Sequence, residues 1–387
     1  MTTLRAMAAA LTATVTAFTL LGGTPARAQN AAAEWKIGVI APTTGPIATI
    51  GTRQLATLQW WEREVNARKG GIKGRKVVLR HCNDEASPEK AAACARELLA
   101  QGVVLLLNAS VTGPIRATLP LVKNGPVMLT PSPNIMPDAS GYVFQTSPAD
   151  ADLVLALAEY AKASGVTQLG MVAATDASGE VGVASAAAVF PRLGLQYKLA
   201  RIDLRATDAT TQLSRVAGAD VPLLYSTYTG GGAVTVVKGY ANLGLTQPLV
   251  VSYANISDPF IALIKDDLPR RLLGTALRAV APELLTDAGE RERVAYFNRS
   301  YEQWRGGERA DMLNLLALGM ADAAESILAN VADPGDADAV KKYLEATPIK
   351  SFQTIRFSPQ SHVGMNASDV AIVEYRGGRW TRADPAR

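Results

Sequence analysis

The sequence predicts an α/β protein made of two doubly wound parallel-sheet lobes. Apolar strand-like runs alternate with helical periodicity along most of the chain, and this alternation comes in two series of similar size. The 387 residues also exceed what one compact core usually encloses. A hydrophobic content of 48% suffices for two buried cores and excludes wholesale disorder.

The first series opens with a strand over 35–40, Trp35-Lys36-Ile37-Gly38-Val39-Ile40, and a glycine- and proline-rich turn. A helix over 52–67 follows, since Leu55, Leu58, Trp61 and Val65 recur at helical spacing and Lys69-Gly70-Gly71 stops it. A strand over 76–80 leads into a helix with Ser87 as N-cap and Pro88 at its first position. A strand over 103–107, a helix over 112–122 and a strand over 127–129 continue the pattern. Short β-rich runs joined by helices of this length imply parallel strands with crossover helices.

The second series begins after Gln145-Thr146-Ser147-Pro148. It predicts a helix over 150–163, strands over 168–173, 196–202, 223–226 and 249–252, and intervening helices after Gly179 and over 232–242. The last third changes character, with consecutive helices over 290–304 and 309–330, then strands over 352–357 and 370–375.

Residues 1–28 read as an export signal. Arg5 precedes an uncharged run over 6–21, and Ala26-Arg27-Ala28 supplies the small-x-small pattern that places cleavage before Gln29. The run is shorter than a membrane span needs, so a soluble periplasmic protein is expected. In an oxidising compartment, Cys82 and Cys94 either close a disulfide contributing about 3 kcal/mol or remain two buried thiols.

Composition narrows the chemistry. A net charge of +4, from 39 basic and 35 acidic residues spread along the chain, argues against a nucleic-acid partner. Two histidines and two cysteines leave little material for a zinc site or a histidine-based catalytic machine. Gly-x-Ser-x-Gly, Gly-x-Gly-x-x-Gly and phosphate-loop motifs are absent from the sequence. Gly70-Gly71-Ile72-Lys73-Gly74-Arg75 follows a helix and precedes a strand, the order of a connecting turn. No catalytic residue, metal or cofactor is expected.

The loops that follow strands are more informative, because open parallel sheets bind ligands beyond the carboxyl ends of their strands and two facing lobes make a cleft. In Asn108-Ala109-Ser110-Val111-Thr112, hydroxyls and backbone N–H groups at a helix start either cradle an anion or simply cap the helix. Thr130-Pro131-Ser132-Pro133-Asn134 would lie beside it as a rigid polar loop. In the second series, Thr175-Asp176-Ala177-Ser178-Gly179-Glu180 takes the matching position, making Ser178 a candidate. Tyr228, within Ser226-Thr227-Tyr228-Thr229-Gly230-Gly231-Gly232, and Tyr253 follow two further strands and are candidates beside a surface-tyrosine alternative.

These segments resemble the periplasmic substrate-binding proteins of branched-chain amino acid ABC transporters, the leucine/isoleucine/valine-binding type I family. The resemblance rests on Ile37-Gly38-Val39-Ile40-Ala41-Pro42-Thr43-Thr44-Gly45-Pro46, on Val65 through Arg75, on Asn83-Asp84-Glu85-Ala86-Ser87-Pro88, on Gln145-Thr146-Ser147-Pro148 and on Tyr240-Ala241-Asn242-Leu243-Gly244-Leu245. It implies a three-crossing hinge, with lobe one formed by 29–146 and 277–350 and lobe two by 147–276 and 351–387. It also implies that Ser110, with Ala109 competing for the same slot, holds a ligand carboxylate, that Ser132 and Asn134 help hold an ammonium, and that Tyr228 closes over the ligand.

Two departures from the family bear on the ligand. Tyr253 stands where amino-acid-binding relatives carry an acid, and Ile50 where many carry an aromatic. A buried ammonium without a countercharge costs several kcal/mol, which tilts the expectation toward a non-amino carboxylate or an amide. The implied function is a monomeric, non-enzymatic solute receptor that delivers a small metabolite to the permease subunits of an ABC importer. A sensory protein of the same fold and a secreted hydrolase are the rivals. On this reading Ser110→Ala and Tyr228→Ala weaken binding and leave the unliganded fold intact.

Overall fold

The first sheet is five-stranded and wholly parallel, and it is built from the N-terminal third of the chain. The computed structural model describes residues 34–385 except Pro46 and Leu204; the expected export signal lies outside the described residues. Strand β1 (Trp35–Ile40) leads through α1 (Ala48–Lys69) to β2 (Val77–Cys82), then through α2 (Pro88–Ala100) to β3 (Leu105–Asn108). Helix α3 (Thr112–Thr118), β4 (Met128–Thr130) and β5 (Val143–Gln145) complete this half, with strand order β2-β1-β3-β4-β5. Ser87 caps α2 by accepting from the Lys90 N–H at 3.3 Å, and Pro88 stands at the first helical position. Cys82, on edge strand β2, is disulfide-bonded to Cys94 on α2.

Helix α4 (Asp150–Ala163) carries the chain to a seven-stranded sheet. Its parallel part comprises β6 (Gln168–Ala174), α5 (Ala177–Val189), β7 (Gln196–Ile202), α6 (Thr210–Val216), β8 (Leu223–Ser226), α7 (Gly230–Asn242), β9 (Leu249–Val251), α8 (Asp258–Ile264) and β10 (Leu272–Leu277). The chain then returns to the first lobe as α9 (Ala288–Trp304), α10 (Met312–Asn330) and α11 (Ala337–Ala346). Two antiparallel strands, β11 (Val370–Arg376) and β12 (Arg379–Arg382), finally extend the second sheet, giving the order β12-β11-β10-β9-β8-β6-β7.

Helix α10 is apolar nearly all round because it is buried on nearly all sides, against α1 and the hinge segment. It is long and apolar enough to cross a membrane by length and composition, yet 83% of that stretch is buried inside the protein. Across from it, Trp60 of α1 meets Phe297 of α9 edge to face, with ring centroids 4.8 Å apart.

One sequence expectation is corrected. Residues 352–357 form no strand: Ile349 and Ile355 pair with each other in an isolated bridge, and the apolar side chains turn inward. Phe352, Ile355, Phe357 and Met365 belong to the first core, as do Val370 and Val373 of the following strand. Backbone bonds tie the stretch after 357 to β5: Gln145 N–H donates to His362 O, and Gly364 N–H to Gln145 O, both at 2.8 Å.

Candidate ligand-binding site

The loops that leave the carboxyl ends of β3, β4, β6, β8 and β9 hold the candidate residues. After β3, Ala109 is fixed by its N–H donating to Ile40 O at 2.9 Å. Ser110 is buried and bonded twice to one side chain of α1: its N–H donates to Gln54 Oε1 at 3.0 Å, and Gln54 Nε2 donates to Ser110 Oγ at 2.7 Å.

After β4, the Ser132 N–H donates to Thr130 Oγ1 at 3.3 Å. Two residues on, Asn134 Nδ2 donates to Thr112 Oγ1 at 3.1 Å within the first lobe and to Ser178 Oγ at 2.9 Å on α5 of the second. Thr112 and Ser178 thus receive an amide hydrogen on their oxygens, which leaves each hydroxyl hydrogen free to point elsewhere. Helix α4 starts against the same loop, with the Asp150 N–H donating to Pro133 O at 3.0 Å.

Three buried groups here have no hydrogen-bond partner among the described residues: Ser132 Oγ, Asn134 Oδ1 and Asp150 Oδ2. Buried polar atoms are normally satisfied, so three orphans on adjoining segments, with both acceptors and a hydroxyl represented, single these loops out as the candidate site. Burial pushes the Asp150 carboxyl up to about 6, opposed by a hydrogen bond from Ser185. Tyr253 lies within reach of that charge, and its phenol is raised first by burial and then by Asp150. Tyr225 is raised by burial, then by Asp150 and then by Tyr253.

The two tyrosine candidates diverge. Tyr228 sits inside the second core, 1% exposed. Its hydroxyl donates to Ile202 O at 3.1 Å and to Asp203 O, and its own carbonyl accepts from Asn255 Nδ2 at 2.7 Å. Its ring lies on Gly232, where a Cβ would come within 1.8 Å. Burial, then Asp176 and Asp203, push the phenol up to about 12. Tyr253 follows β9 of the second sheet yet packs, with Ala254 and Ile256, in the first core.

The structure therefore joins Asn134 and Ser178 directly, sets Ser110 and Ser132 on the adjoining loops, and brings Tyr253 beside Asp150. It holds Tyr228 within one lobe. Sequence reading did not single out Gln54 or Asp150, which bond to the candidate loops. Gln54 gives a faint signal, a polar residue next to Leu55 on a helix whose neighbours are core; Asp150 reads as an ordinary acid in a first helical turn.

Two α/β lobes joined by three passages, with polar loops meeting between them, define a two-lobed solute-binding protein. The chain belongs to the periplasmic binding protein family, whose model matches residues 34–379. It is similar to the Leu/Ile/Val-binding protein homolog 3 of Brucella melitensis, at 31% identity over 137 residues, covering 34% of this chain and 37% of that one. The match spans only about a third of the length of this curated relative. In fold it is similar to an extracellular ligand-binding receptor from Rhodopseudomonas palustris, with a TM-score of 0.78 at 22% identity over 91% of this chain and 100% of the other. A second likeness is to an ABC-transporter solute-binding protein from R. palustris in complex with benzoate, with a TM-score of 0.73 at 19% identity over 91% and 96% of the two chains.

Proposed function

We propose that the protein is the periplasmic solute receptor of an ABC importer, a monomer that closes on a small polar metabolite and hands it to the membrane permease. The observation that carries this is Asn134, which spans the lobes through Thr112 and Ser178 while keeping a buried, unpaired Oδ1. A ligand held by both lobes has the differential affinity for the closed state that drives closure.

The orphan groups describe the guest. Ser132 Oγ and the free hydroxyl hydrogens of Thr112 and Ser178 offer donors to a carbonyl or carboxylate oxygen. Asn134 Oδ1 and Asp150 Oδ2 call for an N–H donor. Asp150 supplies the countercharge that Tyr253 does not, so the ligand carries an amino or amide nitrogen beside an oxygen acceptor. A branched-chain amino acid, as in the name of the Brucella relative, and a small amide both meet this; benzoate, bound by the R. palustris protein, lacks the donor.

Thermal-shift screening against amino acids, aromatic acids, dicarboxylates and amides tests the proposal, because a specific ligand raises the melting temperature with the logarithm of its concentration above Kd. Nitrogen-bearing compounds should lead the ranking. A ranking led by dicarboxylates or plain aromatic acids would refute the role given to Asp150.

A further inference from the structure

The ring of bonds between Gln54 and Ser110 changes what the loop after β3 can offer. A carboxylate seated on a serine takes two donors, the backbone N–H and the hydroxyl. Here the N–H already donates to Gln54 Oε1 at 3.0 Å. The hydroxyl oxygen accepts from Gln54 Nε2 at 2.7 Å, so the hydroxyl hydrogen is turned away from the amide and toward another acceptor. Ser110 therefore presents one donor and not two.

We propose that Gln54 is a specificity-determining residue, which sets the site to prefer a neutral amide carbonyl over the matching carboxylate. This rests on the reading of the interlobe site given above and sharpens it to a ligand class. Gln54 is 1% exposed and Ser110 6%. A carboxylate claiming both serine donors must evict the Gln54 amide into a buried setting where its own oxygen and nitrogen lose their partners, and such orphaning is strongly unfavourable. An amide carbonyl needs only the hydroxyl and leaves the Gln54 bonds whole. Its NH2 can then serve Asn134 Oδ1 and Asp150 Oδ2, the two orphan acceptors. Gln54 touches the ligand through Ser110 and is a positioning residue.

The test is calorimetric titration of two acid–amide pairs, benzoate with benzamide and L-leucine with L-leucinamide, against wild type, Gln54→Met and Gln54→Glu. Methionine keeps the length and buries without hydrogen bonds; glutamate accepts from both Ser110 donors and adds a charge. In wild type the amide of a pair should bind about tenfold more tightly than the acid. Gln54→Met should erase most of that preference by freeing the Ser110 N–H, and Gln54→Glu should widen it. Melting curves confirm that each variant is folded. Amide hydrogen exchange supplies a readout without ligand: Ser110 should be protected in wild type and exchange faster in Gln54→Met. An unchanged acid-to-amide ratio in folded Gln54→Met, or an acid preference in wild type, overturns the inference alone. A wild type that binds none of the four compounds overturns it together with the receptor reading.

Discussion

Tyr228 and Tyr253 follow the carboxyl ends of adjacent parallel strands in the middle of the second sheet, and the two loops do opposite things. The loop after β8 turns back into its own lobe, with the Tyr228 hydroxyl engaged by the carbonyls of Ile202 and Asp203 and its ring pressed on Gly232. The loop after β9 reaches out, so that Tyr253 packs in the first core beside the charge of Asp150. Placement at a strand end makes a residue a candidate; whether its polar group is already engaged decides if it can serve a ligand.

The largest effect should come from Tyr228→Ala. Removing a fully buried aromatic leaves a cavity and two carbonyls without their donor, costing about 3–5 kcal/mol of stability in chemical denaturation. Sequence reading expects the reverse, a binding defect with an intact fold. If the variant melts like wild type and loses affinity instead, the contrast between the two tyrosines collapses.

Asp150→Asn comes next. The carboxyl titrates at about 6 in the fold against 3.8 as a free group. Between those values the native state holds its proton more tightly than the unfolded chain, so stability falls as pH rises through this window. Above it the charged carboxylate is a standing penalty, on the order of 3 kcal/mol. The asparagine variant should thus raise the apo melting temperature at pH 7, show no gain below about pH 4, and bind nitrogen-bearing ligands more weakly. Melts at both pH values, with and without ligand, check the sign.

Asn134→Ala and Ser178→Ala should each weaken binding about tenfold, since both break the bond that spans the lobes. Thr112→Ala, which touches only the bond within lobe one, should cost less, and calorimetry would rank the three. Tyr253→Phe should be mildest: a few-fold loss of affinity with little change in stability, the inverse of the Tyr228 pattern.

Much of the architecture was legible because it rests on local rules. Buried strand runs such as Leu105-Leu106-Leu107, the Ser87-Pro88 helix start and the Lys69-Gly70-Gly71 stop all declare themselves within a few residues. Strand β5 escaped notice because no helix separates it from β4 to continue the strand–helix alternation. Strand β10 also went unread; its Gly274 looks like a break, but a Cβ there would meet Ile256 at 2.8 Å. The candidate loops were legible in position, and the hydrogen-bonded state of their side chains was not. What engages Ser110 lies 56 residues away on α1, and what engages Tyr228 lies 25 and 26 residues away. No local pattern carries such pairings.

The bond between Cys82 and Cys94 has a practical bearing on preparing the protein. It fastens the outermost strand of the first sheet to the helix that follows it, and an outermost strand is where a sheet most readily recruits a stray chain. Material made where thiols stay reduced would leave that border unpinned. Samples matured under oxidising conditions should keep better at high concentration, which side-by-side storage of oxidised and reduced preparations would reveal.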